Sequence, residues 1–157
     1  MVHLSLMHIA TKSEKITLVS EKKTSELAKK VQKKIVIGDI IFMSGEIGVG
    51  KTTFVKYLIN QFQKENNMKI TEITSPTFNL LNEYKINDLS ICHYDLFRIK
   101  DSSELKNLNI FENSSNSITL IEWPQIIKEK PKKFIEFFFQ YEDDYKKRSV
   151  QIKGLNF

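Results

Sequence analysis

Between an uninterrupted apolar run, Ile40-Ile41-Phe42-Met43, and an amphipathic stretch that starts at Lys51 lie the residues Gly45-Glu46-Ile47-Gly48-Val49-Gly50-Lys51-Thr52. They satisfy the pattern G-x-x-x-x-G-K-[ST] at every fixed position. Three of the chain's five glycines fall inside these eight residues, so backbone freedom is concentrated at one turn. The apolar run sits between Gly38 and Gly45 and reads as a strand buried on both faces, spanning Asp39 to Ser44. Beyond the loop, Phe54, Val55, Leu58, Ile59 and Phe62 recur three or four residues apart, which predicts a helix from Thr52 to Asn66. A strand, a glycine turn and a helix in that order point to an α/β arrangement with a nest of backbone N–H groups at the turn.

The spacing has a chemical reason. A nucleotide β-phosphate needs several N–H donors pointing inward, and only glycines let the chain turn that tightly and approach that closely. The start of the helix adds the positive end of its dipole. Lys51 is then placed to reach the β- and γ-phosphates, and the Thr52 hydroxyl to ligate Mg²⁺. The expected cofactors are therefore ATP or ADP with Mg²⁺. Their contacts are expected along the whole loop, through Gly45, Glu46, Ile47, Gly48, Val49, Gly50, Lys51, Thr52 and the following Thr53.

A second magnesium anchor is expected where ligands collect in open α/β sheets, at the carboxyl end of a neighbouring apolar strand. Asp95 after Ile91-Cys92-His93-Tyr94 and Glu122 after Ile118-Thr119-Leu120-Ile121 both fit. Whichever carboxylate does not hold the metal is available to orient or activate the attacking water. Thr74-Ser75-Pro76-Thr77-Phe78 reads either as a switch-like loop with hydroxyls for the γ-phosphate or as a proline turn. His93 has a strand address and reads as a core or strand histidine rather than a base. Trp123, the one tryptophan, either stacks near the nucleotide or wedges its loop.

Elsewhere, Ile16 to Val19 reads as a short strand. A helix is predicted from Thr24 to Val36, with Leu27, Ala28, Val31 and Ile35 on one face and Thr24 as its N-cap. Further strands are expected at Lys69 to Ile73, Phe78 to Tyr84, Ser90 to Tyr94, Ser117 to Glu122, Phe134 to Tyr141 and Ser149 to Lys153. A short helix is expected between Ser102 and Leu108, capped by Ser102 or Asp101. Residues 1–12 read as a leader or an edge strand. At 157 residues with 41% hydrophobic content, one domain is expected. No stretch approaches the roughly 20 apolar residues that span a bilayer, and the amino end lacks a signal-peptide pattern, so the expected location is cytoplasmic, with no membrane partner. A single cysteine, Cys92, forms no internal disulfide. The net charge of +5 rests on scattered lysines with only two arginines, Arg98 and Arg148, which reads as a solvated surface rather than a nucleic-acid patch.

Taken together, Gly45 to Thr53, Ser75-Pro76-Thr77-Phe78, His93-Tyr94-Asp95-Leu96-Phe97-Arg98 and Glu122-Trp123-Pro124 resemble the TsaE family, bacterial ATPases of tRNA threonylcarbamoyladenosine synthesis. The resemblance runs in order from about Thr24 to Pro124. It implies a P-loop NTPase-like three-layer α/β fold, with a central, mostly parallel sheet and a C-terminal antiparallel strand or hairpin. It also implies an accessory ATPase that serves a tRNA-modifying catalytic subunit and that subunit's paralogous partner, with tRNA engaged only indirectly. Carried onto matching positions, Lys51 would bind phosphates, and Thr52, Asp95 and Glu122 would form the metal and water site. Thr77 and Trp123 would support it, and Thr24 would lie near the base. Asn109 stands where family members often have glycine and also tolerates a left-handed backbone. The family's late basic residue corresponds to Lys146, Lys147 or Arg148.

Other functions fit less well. No Asn/Thr-Lys-x-Asp guanine-reading tetrapeptide occurs, which argues against GTP. A small P-loop kinase would need several arginines to clamp the transferred phosphate, and two are available. A non-hydrolytic, ATP-dependent interaction module is the remaining alternative.

Overall fold

The computed structural model describes residues 13–157, so the reading of residues 1–12 lies outside the described residues. The expected strand-loop-helix is present: strand β2 covers Ile40–Ser44 and helix α2 covers Lys51–Glu65. The continuous apolar run of β2 is explained by burial on both faces. Ile41 and Met43 point to one core with Phe54, Leu58 and Ile59 of α2, while Ile40 and Phe42 point to a second core with Tyr94, Leu96, Ile110 and Ile121.

Around this unit stand strands β1 (Ser13–Leu18), β3 (Leu81–Ile86), β4 (Leu89–Asp95), β5 (Ser117–Glu122), β6 (Ile135–Glu142) and β7 (Lys147–Lys153), and helix α1 (Glu21–Gln32). The sheet order is β1-β7-β6-β2-β5-β4-β3. Its centre, β6-β2-β5-β4, is parallel; β3, β7 and β1 join antiparallel. The parallel centre and the β6–β7 hairpin match the expected architecture. Helices α1 and α2 pack together on one face. Short 3-10 helices at Ser102–Leu108 and Pro124–Ile126, with their loops, contribute to the core on the other.

Four local expectations are corrected. Helix α1 starts earlier than predicted: Ser20 is the N-cap, accepting at its hydroxyl from the Lys23 N–H at 3.3 Å, and Thr24 lies one turn inside. The helix also ends at Gln32, short of Val36. Lys69 to Ile73 forms no strand, and the backbone of Thr71 at its centre is bound by α2 instead. Gln63 receives the Thr71 N–H at 3.1 Å and donates to the Thr71 hydroxyl at 2.8 Å, while the Asn60 amide donates to the Thr71 carbonyl at 3.0 Å. Strand β3 begins only at Leu81, since the Leu80 N–H closes a turn onto the Pro76 carbonyl at 2.8 Å and leaves Phe78 exposed. The short helix from Ser102 is capped by Asp101 and ends at Asn109, whose φ of 47° is the left-handed turn that asparagine accommodates.

Candidate functional site

Register brings the acidic candidates together. On parallel neighbours β4 and β5, Asp95 stands opposite Glu122, and Glu122 stands opposite Met43 of β2. All three occupy the carboxyl ends of their strands, next to the loop that follows β2. Alternation along β4 puts Ile91, His93 and Asp95 on one face. Under α2 that face is apolar, with Ile91, Ile118 and Leu120 in the core, and it turns polar only in its last residues.

The loop that receives these groups is shaped by its glycines. Gly45 has φ +145°, and a Cβ there would meet the Phe139 carbonyl oxygen at 2.6 Å and Val49 Cγ1 at 2.9 Å. Gly50 opens α2 in a left-handed conformation, φ +117°, with clear space around it. The first therefore excludes a side chain by contact as well as by conformation, the second by conformation alone.

Lys51 lies almost wholly inside, 4% exposed. Its Nζ donates to the carbonyls of Gly45 at 2.5 Å and Glu46 at 2.9 Å and sits 4.2 Å from the Trp123 ring centre. Burial pushes the ammonium below the usual lysine range, while the nearby Glu122 and Asp95 pull it back up. The Thr52 hydroxyl donates to Glu122, 3.0 Å from Oε1 and 3.2 Å from Oε2. Asp95 is held at both oxygens: Oδ2 accepts from the Ser75 hydroxyl at 3.0 Å and Oδ1 from the Phe97 N–H at 3.0 Å. Thr77 is one step back, donating to Ser75 Oγ at 2.9 Å. Trp123 adopts φ 58°, unusual for an aromatic residue. Its N–H is bound to the Met43 carbonyl at 3.1 Å, and its ring lies 4.8 Å from that of Phe97.

Lys51, Thr52, Asp95, Glu122, Thr77 and Trp123 line one open cleft of about 290 Å³, with Ile47, Gly48, Gly50, Thr53 and Phe97. A second cleft, about 170 Å³, shares Gly50 and Thr53 with the first. It is bordered by Leu18 to Glu21, Thr24, Val49, Tyr145, Lys146 and Arg148. Thr24 is thus placed away from the acidic pair but beside the same loop. Of the three late basic candidates, Lys146 and Arg148 face this second cleft, whereas Lys147 is paired with Asp143 at 3.3 Å. Gly45 and Glu46 do not line the first cleft; their carbonyls hold Lys51 instead. The Val49 side chain is buried in the core.

Two participants escaped the sequence reading. Ser75, seen only as part of a loop, is the hydroxyl that touches Asp95. His93, read as a core histidine, is fully buried as expected, but its Nε2 lies 2.8 Å from Glu122 Oε1. The signal available for His93 was its position two residues before Asp95, hence on the same face.

The donor set suits a hard cation. One hydroxyl and one carboxylate converge with a second carboxylate on a neighbouring strand, as Mg²⁺ prefers when phosphates and water complete its shell. Among the described residues no three His, Cys, Asp or Glu side chains gather as a cage. A cation here would take its remaining ligands from phosphate and water.

Comparison with known proteins shows the family to which the chain is similar. The family model described as threonylcarbamoyl adenosine biosynthesis protein TsaE matches residues 18–150. Proteins named tRNA threonylcarbamoyladenosine biosynthesis protein TsaE are similar along most of the chain. That of Rickettsia conorii is 43% identical over 71% of this chain and 62% of its own length. That of Rickettsia bellii is 40% identical over 83% and 88%, and that of Nostoc sp. 32% identical over 90% and 86%. The crystal structure of Bacillus subtilus YdiB superposes with a TM-score of 0.70, covering 93% of this chain and 88% of that one at 22% identity, which supports the fold.

Proposed function

The chain belongs to the TsaE family, and from that premise we propose that it binds ATP with Mg²⁺ and hydrolyses it as the accessory ATPase of the assembly that makes threonylcarbamoyladenosine next to the anticodon of tRNA. The observation that carries this reading is the convergence of Lys51, Thr52, Asp95 and Glu122 on one cleft at the carboxyl ends of parallel strands. In this reading the phosphates lie along the first cleft and the base and ribose in the second, joined at Gly50 and Thr53. Lys51 exchanges the carbonyls of Gly45 and Glu46 for phosphate oxygens. Thr52 and Glu122, already hydrogen-bonded to each other, would hold Mg²⁺, which would supply charge neutralisation to the bound phosphates. Asp95, fixed at both oxygens by Ser75 and Phe97, orients the attacking water. Trp123 and Phe97 wall the cleft.

The partners in this proposal are the tRNA-modifying catalytic subunit and its paralogous partner, with tRNA reached through them, in the cytoplasm. No helix among the described residues is long and apolar enough to cross a membrane. The deciding experiment is ATP turnover by the protein alone and with the two partner subunits, alongside reconstituted tRNA modification. A Lys51→Ala protein that supports full modification would sink the ATP-driven reading. Modification that requires ATP binding without turnover would make the protein an interaction module.

A further inference from the structure

On the core side of Glu122 lies a group that the proposed reaction does not use. His93 is completely buried. Its Nε2 is 2.8 Å from Glu122 Oε1, and its Nδ1 is buried with no hydrogen-bond partner among the described residues. A carboxylate only accepts, so Nε2 carries the hydrogen and donates. Register explains the contact: His93 pairs with Leu120, and Glu122 is two residues further along the same face of β5, the diagonal neighbour that a long side chain reaches.

The unpartnered Nδ1 matters. Leaving a buried polar atom unsatisfied carries a desolvation cost that an apolar side chain would avoid, as Ile91 does two residues earlier on the same face. Packing alone thus gives no reason for an imidazole here, whereas the Nε2–H contact does. Glu122 is itself only 2% exposed. Its Oε1 is engaged by His93 from the core and by Thr52 from α2, so Oε2 is the oxygen left with Thr52 alone, at 3.2 Å.

We propose that His93 is a positioning residue for Glu122: its Nε2–H fixes the rotation of the carboxylate so that Oε2 is presented, with the Thr52 hydroxyl, to a divalent cation. This rests on the reading that Thr52 and Glu122 hold Mg²⁺. The role is that of an outer-shell partner, whose removal weakens metal affinity roughly 10–100-fold.

The test measures binding of a fluorescent ADP analogue while MgCl₂ is titrated, and separately without Mg²⁺, for the wild type, His93→Leu and His93→Gln. Glutamine can place an amide N–H near the position of Nε2; leucine cannot. The expected result is a Mg²⁺ half-saturation at least about tenfold higher for His93→Leu and within about threefold of wild type for His93→Gln, with metal-free ADP binding within about twofold for both. A merely structural role would instead lower metal-free binding and affect both variants alike, and that outcome overturns the proposal. So does a His93→Leu protein with wild-type Mg²⁺ dependence. If His93→Leu does not fold, His93→Asn replaces it, since its shorter amide falls short of Glu122: a shift for Asn but not for Gln supports the role, and equal half-saturation overturns it. Wild-type ADP binding that ignores Mg²⁺ would overturn the metal reading itself, an outcome distinct from a Mg²⁺-dependent wild type with an unaffected variant.

Discussion

Lys51 is only 4% exposed, and its ammonium is compensated by two carbonyls, an aromatic face and two carboxylates at longer range. Burial is the dominant influence, so its folded-state pKa lies below 10.5. Between that lowered value and 10.5 the unfolded chain binds more protons than the fold, and stability contributed at this site therefore rises with pH across the window. Below it, the cost of burying the charge is present in full. Urea denaturation of wild type and Lys51→Met from pH 7 to 10.5 should accordingly show the difference, wild type minus variant, moving in favour of wild type as pH climbs. Tyr94, pushed up to about 12 by burial and by Cys92 and Glu83, is common to both proteins and cancels in the difference. Turnover, where the proposed chemistry holds, should fall about 10²–10³-fold in the same variant. At Gly45, contact and conformation act together, so Gly45→Ala should lose about 2–4 kcal/mol in urea and Gly50→Ala about 1–2 kcal/mol, because only the first drives a methyl into the Phe139 backbone. Equal losses would show that conformation alone sets the requirement. These glycines and Lys51 were legible because their spacing is local. The Ser75–Asp95 and His93–Glu122 contacts join residues 20 and 29 apart; local spacing puts His93 on the face of Asp95 but shows neither contact.

Elements were legible where one signal dominated. The period of 3.6 gave α2 and the apolar run gave β2, each to within a residue. The misplacements arose where side chains compete for backbone groups. Ser20 and Thr24 are both good caps, one turn apart, and the periodic face of Leu27, Ala28 and Val31 does not say which begins the helix. Ser20→Ala should therefore cost about 1 kcal/mol of stability. Thr24→Val should change it by less than about 0.5 kcal/mol, since its hydroxyl only back-bonds weakly to the Ser20 carbonyl at 3.5 Å. Thermal melts of the pair measure this directly, and the reverse order would restore Thr24 as the cap. The strand expected at Lys69 to Ile73 failed differently. Ile70, Thr71 and Ile73 are strand-favouring residues and Ile73 is buried, but the groups that bind the Thr71 backbone are two amides on α2, which propensity cannot reveal.

At the scale of the molecule, the order of strands was not readable from the chain, because β2 lies between β5 and β6, both far later in sequence. That crossover is what assembles the cleft: the loop after β2 meets the ends of β4 and β5, while the β6–β7 hairpin and the start of α1 border the second cleft. A nucleotide spanning both clefts would tie together segments from Leu18 to Arg148, so its binding should stabilise the whole fold rather than one loop. For a ligand that binds only the folded state, 100 times its dissociation constant adds about 2.7 kcal/mol, which in a chain of this size raises Tm by roughly 5–11 °C. ATP with Mg²⁺ should give a rise of that order, and ATP with excess chelator a smaller one. Replacing Glu122 with glutamine keeps the volume but removes the charge that would hold the cation, so the extra rise due to Mg²⁺ should shrink while the rise from ATP alone persists. Differential scanning fluorimetry across the four conditions separates these terms. An undiminished Mg²⁺ increment in Glu122→Gln would move the metal to Asp95, the other carboxylate at the end of the sheet.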